Sequence, residues 1–267
     1  MIKVDGKDDS LFVQRLSDLK SRCTERYSPE FTNFLDGRQL RIANEYLMQF
    51  KDELVVFDFG GFKYAERKII GLFPRDIYGY SDENGENDVF VSMFDMTAVK
   101  IQGSGFSSFS HRDCLGSVLA LGIKRETVGD IFVSDDGKSA YVCLTKVAAD
   151  FVLENLESVA RDKVKCVRVA FSELPVLEKK YAEIAGTVAS ERLDCIIGLA
   201  LNVSREKAKQ LIASGLVSVN HFEELRCDFC LCEGDILSVR GYGRFVLHEL
   251  GSLTRKGRTR ATIHKMI

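Results

Sequence analysis

Along the first fifty residues the apolar positions fall at helical intervals. Phe12, Leu16, Leu19 and Cys23 keep a spacing of three to four residues, and Leu40, Ala43, Leu47 and Phe50 repeat it. Between them, Ser28-Pro29-Glu30 has the make-up of a helix start, a capping hydroxyl followed by proline in the first turn, and Asp36-Gly37 predicts the end of that short helix. The apolar run LVVFDFGG (54–61) predicts a strand ended by a glycine turn. From there the period alternates. DVFVSMFDMTAVKI (88–101) predicts a strand, and SHRDCLGSVLALG (110–122) a helix capped by Ser110 and stopped at Gly122. DIFVS and SAYVCLT predict two strands joined by the turn Asp135-Asp136-Gly137-Lys138. KVAADFVLENLESVA (146–160) predicts an amphipathic helix and VKCVRVAF (164–171) a last strand. The order β-α-β-β-α-β is that of a ferredoxin-like or RNA-recognition-motif-like sandwich, whose helices cover one sheet face and leave the other for a partner or for the N-terminal helices.

Leu174-Pro175 closes this region, and VLEKKYAEIAGTVAS reads as a charged connector. RLDCIIGLAL then predicts a short helix, Asn202-Val203 a turn, and Ser204 the cap of a second helix, REKAKQLIAS, ended by Gly215. The strands LVSVN, DILSVR and RFVLHEL follow. The expected class is α+β. Residues 1–75 form a helix-rich region with a short strand pair, 76–173 the RNA-recognition-like domain, 174–189 a connector and 190–267 a C-terminal domain.

The bulk composition of the 267 residues is that of a folded aqueous protein, 45% hydrophobic and 28% charged. No apolar run is long enough to span a bilayer, so no membrane partner is expected. The opening MIKVDGKDDSLF has no apolar core of the secretory kind, and the expected location is cytoplasmic. In that setting the eight cysteines are expected to be reduced and mostly buried. Charge changes the picture more. Residues 1–182 hold 25 basic and 29 acidic side chains, residues 183–267 hold 12 and 10, and the last 28 hold seven and one. A basic end on a near-neutral body predicts contact with a polyanion.

The residues placed for that contact are specific. Arg205 and Lys209 stand one turn apart on one helix face, and Arg192 opens the preceding helix, so the three are placed to converge on one phosphate-lined groove. Arg192-Leu193-Asp194, Ser204-Arg205, Lys209, Leu211-Ile212, Gly215, Val217, Val219-Asn220, Gly234-Asp235 and Arg240-Gly241 together resemble an S4 RNA-binding domain. GGFKYAER (60–67), HRDCLGSVLALGIKRETVGDIFV (111–133) and VRGYGRF (239–245) resemble the YlmH-type S4 proteins of bacteria. The resemblance implies a non-enzymatic binder of structured rRNA and tRNA on the large ribosomal subunit, acting in rescue of stalled translation, with no DNA partner. RNA contacts are expected at Arg192, Ser204, Arg205, Lys207, Lys209, Asn220, Arg240, Arg244, Arg255, Lys256 and Arg258, and a secondary contact at His111 and Arg112. The segment around Arg255, Lys256, Arg258 and Arg260 is expected to be mobile until RNA orders it.

Other motifs carry less. An Arg-Leu-Asp triplet also occurs in pseudouridine synthases, but here it opens the C-terminal domain with only 73 residues after Asp194, so Asp194 reads as a first-turn carboxylate beside a base. An RNA-modifying enzyme, pseudouridine synthase-like or methyltransferase-like, and a cell-division-linked adaptor are the competing functions. His111-Arg112-Asp113 lacks the glycine loop and Asp-Phe-Gly of a kinase. Gly60-Gly61 is no dinucleotide fingerprint and reads as a tight turn. Cys227, Cys230 and Cys232, with His221, fall short of the paired spacing of a zinc site, so neither metal nor cofactor is expected. SAYVCLT has one aromatic, Tyr141, in place of the usual stacking run, so base stacking on that sheet is not expected.

Overall fold

The computed structural model describes residues 6–79, 87–176, 180–255 and 257–266. They form two compact units, divided between residues 177 and 178, and the class is α+β.

In the N-terminal unit, α1 (Lys7–Arg26) ends at Tyr27, whose left-handed backbone turns the chain. β1 (Glu30–Phe31) follows, then α2 (Gly37–Leu47), β2 (Leu54–Phe59), β3 (Ile69–Pro74), α3 (Arg75–Tyr78) and α4 (Asn87–Met93). β1, β3 and β2 make a small antiparallel sheet in that order. Two expectations fail here. Ser28-Pro29-Glu30 starts a strand: Glu30 pairs with Leu72 and Phe31 with Gly71, and proline's fixed φ suits entry into extended chain as well as into a helix. Asp36-Gly37 begins a helix. The Asp36 carboxylate accepts from the Gln39 backbone N–H at 2.9 Å, and the Gln39 side chain accepts from Asp36 N–H at 3.1 Å, a complete capping box.

The rest of the unit is β4 (Met96–Gly103), α5 (His111–Ala120), β5 (Val128–Val133), β6 (Ser139–Thr145), α6 (Lys146–Asn155), β7 (Ser158–Val159) and β8 (Asp162–Val169). The antiparallel order β5-β6-β4-β8-β7 is the ferredoxin-like arrangement with a short extra strand at one edge. The stretch read as one strand from residue 88 is α4 followed by β4. Phe90 and Phe94, four apart, both enter the core, and that spacing shares one face in a helix and in a strand alike. Likewise the helix expected to run to residue 160 stops at Asn155.

α5 and α6 pack on one sheet face, burying Val99, Ile101, Val142 and Leu144. The opposite face is occupied at one end. Ala98, Cys143 and Val169 lie under Phe34, Phe62, Phe73, Phe90 and Phe94 from the N-terminal sheet, α4 and their loops. Edge-to-face ring pairs 4.6–5.9 Å apart tie this cluster together. Gly61 explains its place in the pair Gly60-Gly61. Its φ is +85°, and a Cβ there would stand 2.3 Å from Cys143 Sγ.

In the C-terminal unit, β9 (Tyr181–Val188) precedes α7 (Leu193–Leu201) and α8 (Arg205–Ala213). β10 (Val217–Val219), β11 (Phe222–Glu223), β12 (Ile236–Val239), β13 (Gly243–Leu253) and β14 (Thr259–Met266) complete it. The six strands run in the order β11-β10-β12-β13-β14-β9. α7 and α8 cover one face, over Val188, Phe245, Leu247, Ala261 and Ile263. Residues 181–188, read from the sequence as connector, are therefore an edge strand of this sheet. Of the four basic residues expected to be mobile, Arg260 lies in β14, which is paired on both sides along its length, Arg255 and Arg258 lie in the β13–β14 turn, and Lys256 lies outside the described residues. Thr259, Ala261 and Ile263 alternate inward, and this buried face outweighs the charge of the residues between them.

Candidate nucleic-acid interface

The first turn of α7 is built by a loop from later in the chain. Leu193 N–H donates to Phe229 O at 2.8 Å, Asp194 N–H to Cys227 O at 3.1 Å, and Leu231 N–H to Glu191 O at 3.0 Å. The loop carbonyls thus take the N–H groups that a capping side chain would otherwise satisfy. Asp194 is left to serve arginines. Its side chain has no solvent exposure. Arg192 donates through Nε to Oδ1 at 3.2 Å and through Nη2 to Oδ2 at 3.3 Å; Arg205 Nε donates to Oδ2 at 2.8 Å. Burial pushes the carboxyl's pKa up, but the two arginine hydrogen bonds and charges outweigh it and hold it at about 2. A carboxylate so held has neither the basicity nor the access of a general base.

The consequence is geometric. One buried anion fixes two guanidiniums whose side chains remain 36% and 49% exposed. A second such pair stands on the loop itself. The Glu224 carboxylate, 7% exposed, accepts Arg226 Nε and Nη2 at 3.0 Å each, and the guanidinium lies over the Phe229 ring. The loop touches both helices, since Cys227 Sγ also reaches Lys209 O, and Asp228 acts on Arg192 and Arg226 alike. Arg192, Arg205 and Arg226 therefore share one neighbourhood, each oriented by a carboxylate and each open to solvent. Sequence reading missed Arg226. Its signal was Glu224-Leu225-Arg226, the same acid–Leu–arginine spacing as Arg192-Leu193-Asp194 in reverse.

The other expected residues divide. Ser204 caps α8, accepting from Lys207 N–H at 3.3 Å, and the Lys207 side chain is exposed. Lys209 does not join the Asp194 pair; it bridges to Glu206 at 2.8 Å along its own helix. Asn220 is spent inside the unit, donating to Asp235 at 2.7 Å and accepting from Ile236 N–H at 3.0 Å from a left-handed backbone. Arg240 is exposed after β12, Arg244 lies half-buried on β13, and Arg255 is exposed in the β13–β14 turn. Lys256 lies outside the described residues. Arg258 clamps the hairpin to β9, with Nε on Thr187 Oγ1 at 3.0 Å and Nη2 on Thr187 O at 2.7 Å. His111 and Arg112 are exposed at the start of α5 in the other unit. Asp113 closes a capping box there and its carboxyl is lowered by the Ser110 hydroxyl and backbone bonds.

The cysteines are free thiols: Cys23, Cys114 and Cys143 are buried, and Cys230 and Cys232 exposed. Burial pushes the Cys23 thiol up to about 11 and that of Cys114 to about 12, so neither is a nucleophile at neutral pH. Among the described residues no group of three His, Cys, Asp or Glu side chains is arranged to hold a metal ion. No helix of the described residues is long and apolar enough to cross a membrane.

Comparison with known proteins adds three findings. Residues 91–173 match a family model described as "Putative RNA-binding domain in YlmH". The chain is 30% identical over 260 residues, 97% of its own length and 96% of the relative's, to the ribosome-associated protein quality control protein P2 of Bacillus subtilis (strain 168). It superposes with a TM-score of 0.51 and 18% identity on the cell division protein ylmH from Streptococcus pneumoniae, over 65% of this chain and 98% of that one.

Proposed function

The chain belongs to the YlmH family, and from that premise we propose that it is a non-catalytic RNA-binding protein that works on the ribosome. The carrying observation is the pair of half-exposed guanidiniums, Arg192 and Arg205, held by one buried carboxylate, Asp194. Such a pair presents donors in fixed directions without burying them, which suits the paired oxygens of a phosphate. We read the C-terminal unit as an S4 domain, gripping structured RNA through Arg192, Arg205 and Arg226, with Lys207, Arg240 and Arg255 adding to the field. The RNA is rRNA and tRNA on the large subunit, bound in the cytoplasm, and the service is rescue of stalled translation. The Bacillus subtilis relative carries a ribosome-associated quality-control name, which supports the reading. Asp194, buried and doubly paired, does not suit the role of a general base, which speaks against the Arg-Leu-Asp triplet as a catalytic site.

The test is sucrose-gradient sedimentation of cell lysate at moderate salt, with translation stalled by an elongation inhibitor. The protein should travel with large subunits, and the Arg192→Ala/Arg205→Ala variant should shift to the top. Wild-type protein remaining at the top under stalling rules the ribosome out.

A further inference from the structure

The N-terminal unit encloses a cleft of about 750 Å³ that the RNA-grip reading does not use. Phe12, Arg15 and Leu19 of α1 form one wall, Phe31 to Asp36 another, and Arg67, Lys124 and Arg125 the base and rim. The two arginines at the base are unusual neighbours. Arg67 Nε and Arg125 Nη1 both donate to a single acceptor, Val128 O. Arg67 adds a bond to Phe34 O at 3.0 Å, and Arg125 one to Gly129 O at 3.4 Å. Sharing one carbonyl sets two positive charges side by side. Among the described residues, no carboxylate lies within ion-pair distance of either.

The nearest acids are occupied. Asp130 accepts the backbone N–H groups of Glu66 and Arg67, and Asp36 caps α2. Both act on the arginines at longer range. Burial lowers the pKa of Arg67, and burial together with the Arg67 charge lowers that of Arg125, so the pair carries its charge at a cost. Nη1 of Arg67 and Nε and Nη2 of Arg125 have no acceptor among the described residues. The lining as a whole holds five basic and three acidic side chains, within a region of the sequence where acids outnumber bases. A side-by-side arginine pair with spare donors calls for an anion of paired oxygens. The apolar walls call for a flat, apolar body attached to it, and the volume falls within the usual range of small-molecule sites.

We propose that this cleft binds a phosphorylated nucleoside, with the phosphate on Arg67 and Arg125, Arg15 and Lys124 at the mouth, and the base against Phe12, Leu19 and Phe31. The nucleotide is either free or the 5′-terminal nucleotide of an RNA strand. The site stands in the other unit from Arg192 and Arg205, and its existence does not depend on their role.

Isothermal titration of the full chain tests it. The probes are adenosine and guanosine 5′-monophosphates, the parent nucleosides, inorganic phosphate, and a tetraribonucleotide with and without a 5′-phosphate. Phosphorylated probes should bind saturably, and their unphosphorylated counterparts roughly tenfold or more weakly. Binding of the monophosphates assigns free nucleotide; binding of the phosphorylated tetranucleotide alone assigns a strand end. Arg15→Ala/Lys124→Ala changes only exposed side chains and should weaken binding roughly tenfold, leaving far-UV circular dichroism unchanged. Arg192→Ala/Arg205→Ala should leave it unaltered, which separates this site from the RNA grip. Three results would overturn the proposal: no binding by any probe, inorganic phosphate binding as tightly as the nucleotides, or affinity untouched by the Arg15/Lys124 variant.

Discussion

Replacing Asp194 by Asn keeps the shape of the side chain and removes the charge that holds Arg192 and Arg205. The free energy at stake follows from the pKa. Lowering the carboxyl from 3.8 to about 2 corresponds to ~2.4 kcal/mol at ~1.4 kcal/mol per unit. Because the arginines are partly exposed, solvent screening reduces this to about 1–2 kcal/mol. The pH dependence has a definite sign. A carboxyl depressed in the folded state stabilises fully above its unfolded value near 4, and the contribution is lost as pH falls toward 2. Urea unfolding of the C-terminal unit, followed through NMR signals of α7 residues, should show Asp194→Asn destabilised by about 1–2 kcal/mol at pH 7. The variant's deficit should shrink between pH 4 and pH 2. A variant as stable as wild type at pH 7, or a deficit that does not change through that window, would refute the idea that Asp194 works as an ionic anchor.

Gly61→Ala meets both a left-handed backbone and the Cys143 sulfur, so thermal unfolding should show a loss of about 2–3 kcal/mol in the N-terminal unit. Truncation after Gly251 removes β14 from between β13 and β9. Circular dichroism and NMR should therefore show the C-terminal unit unfolded. Arg226→Ala removes an exposed guanidinium held by Glu224, and filter binding should show affinity for structured RNA falling by roughly two- to tenfold with stability little changed.

How far the fold was legible follows from which signals are local. α5 was readable because Ser110 and Asp113 close a capping box three residues apart, and α8 because Ser204 caps it and Gly215 follows it with a positive φ. The β5–β6 hairpin was readable from its turn residues. β14 was misread because seven basic side chains in 28 residues outweighed a plain alternation, Thr259, Ala261, Ile263, that points inward. α4 was misread because Phe90 and Phe94 suit a strand by type, and a spacing of four shares one face in a strand as well as in a helix. Of the interface, the acid–arginine spacing around Asp194 was visible, but its orientation was not. Arg205 reaches Asp194 across eleven residues and a turn. The pairing of Arg67 with Arg125 across 58 residues exists only once β5 lies beside the β2–β3 loop, so no window along the chain contains it.

The central claim is that Arg192 and Arg205 bind phosphates. It is tested most directly by the salt dependence of binding to a structured rRNA fragment, measured for wild type and for Arg192→Ala/Arg205→Ala. Each lost phosphate contact should flatten the plot of log affinity against log salt by ~0.7–0.9. The account predicts weaker binding with a slope flatter by about 1.4–1.8, whatever the RNA sequence. An unchanged slope and affinity in the double variant would contradict it.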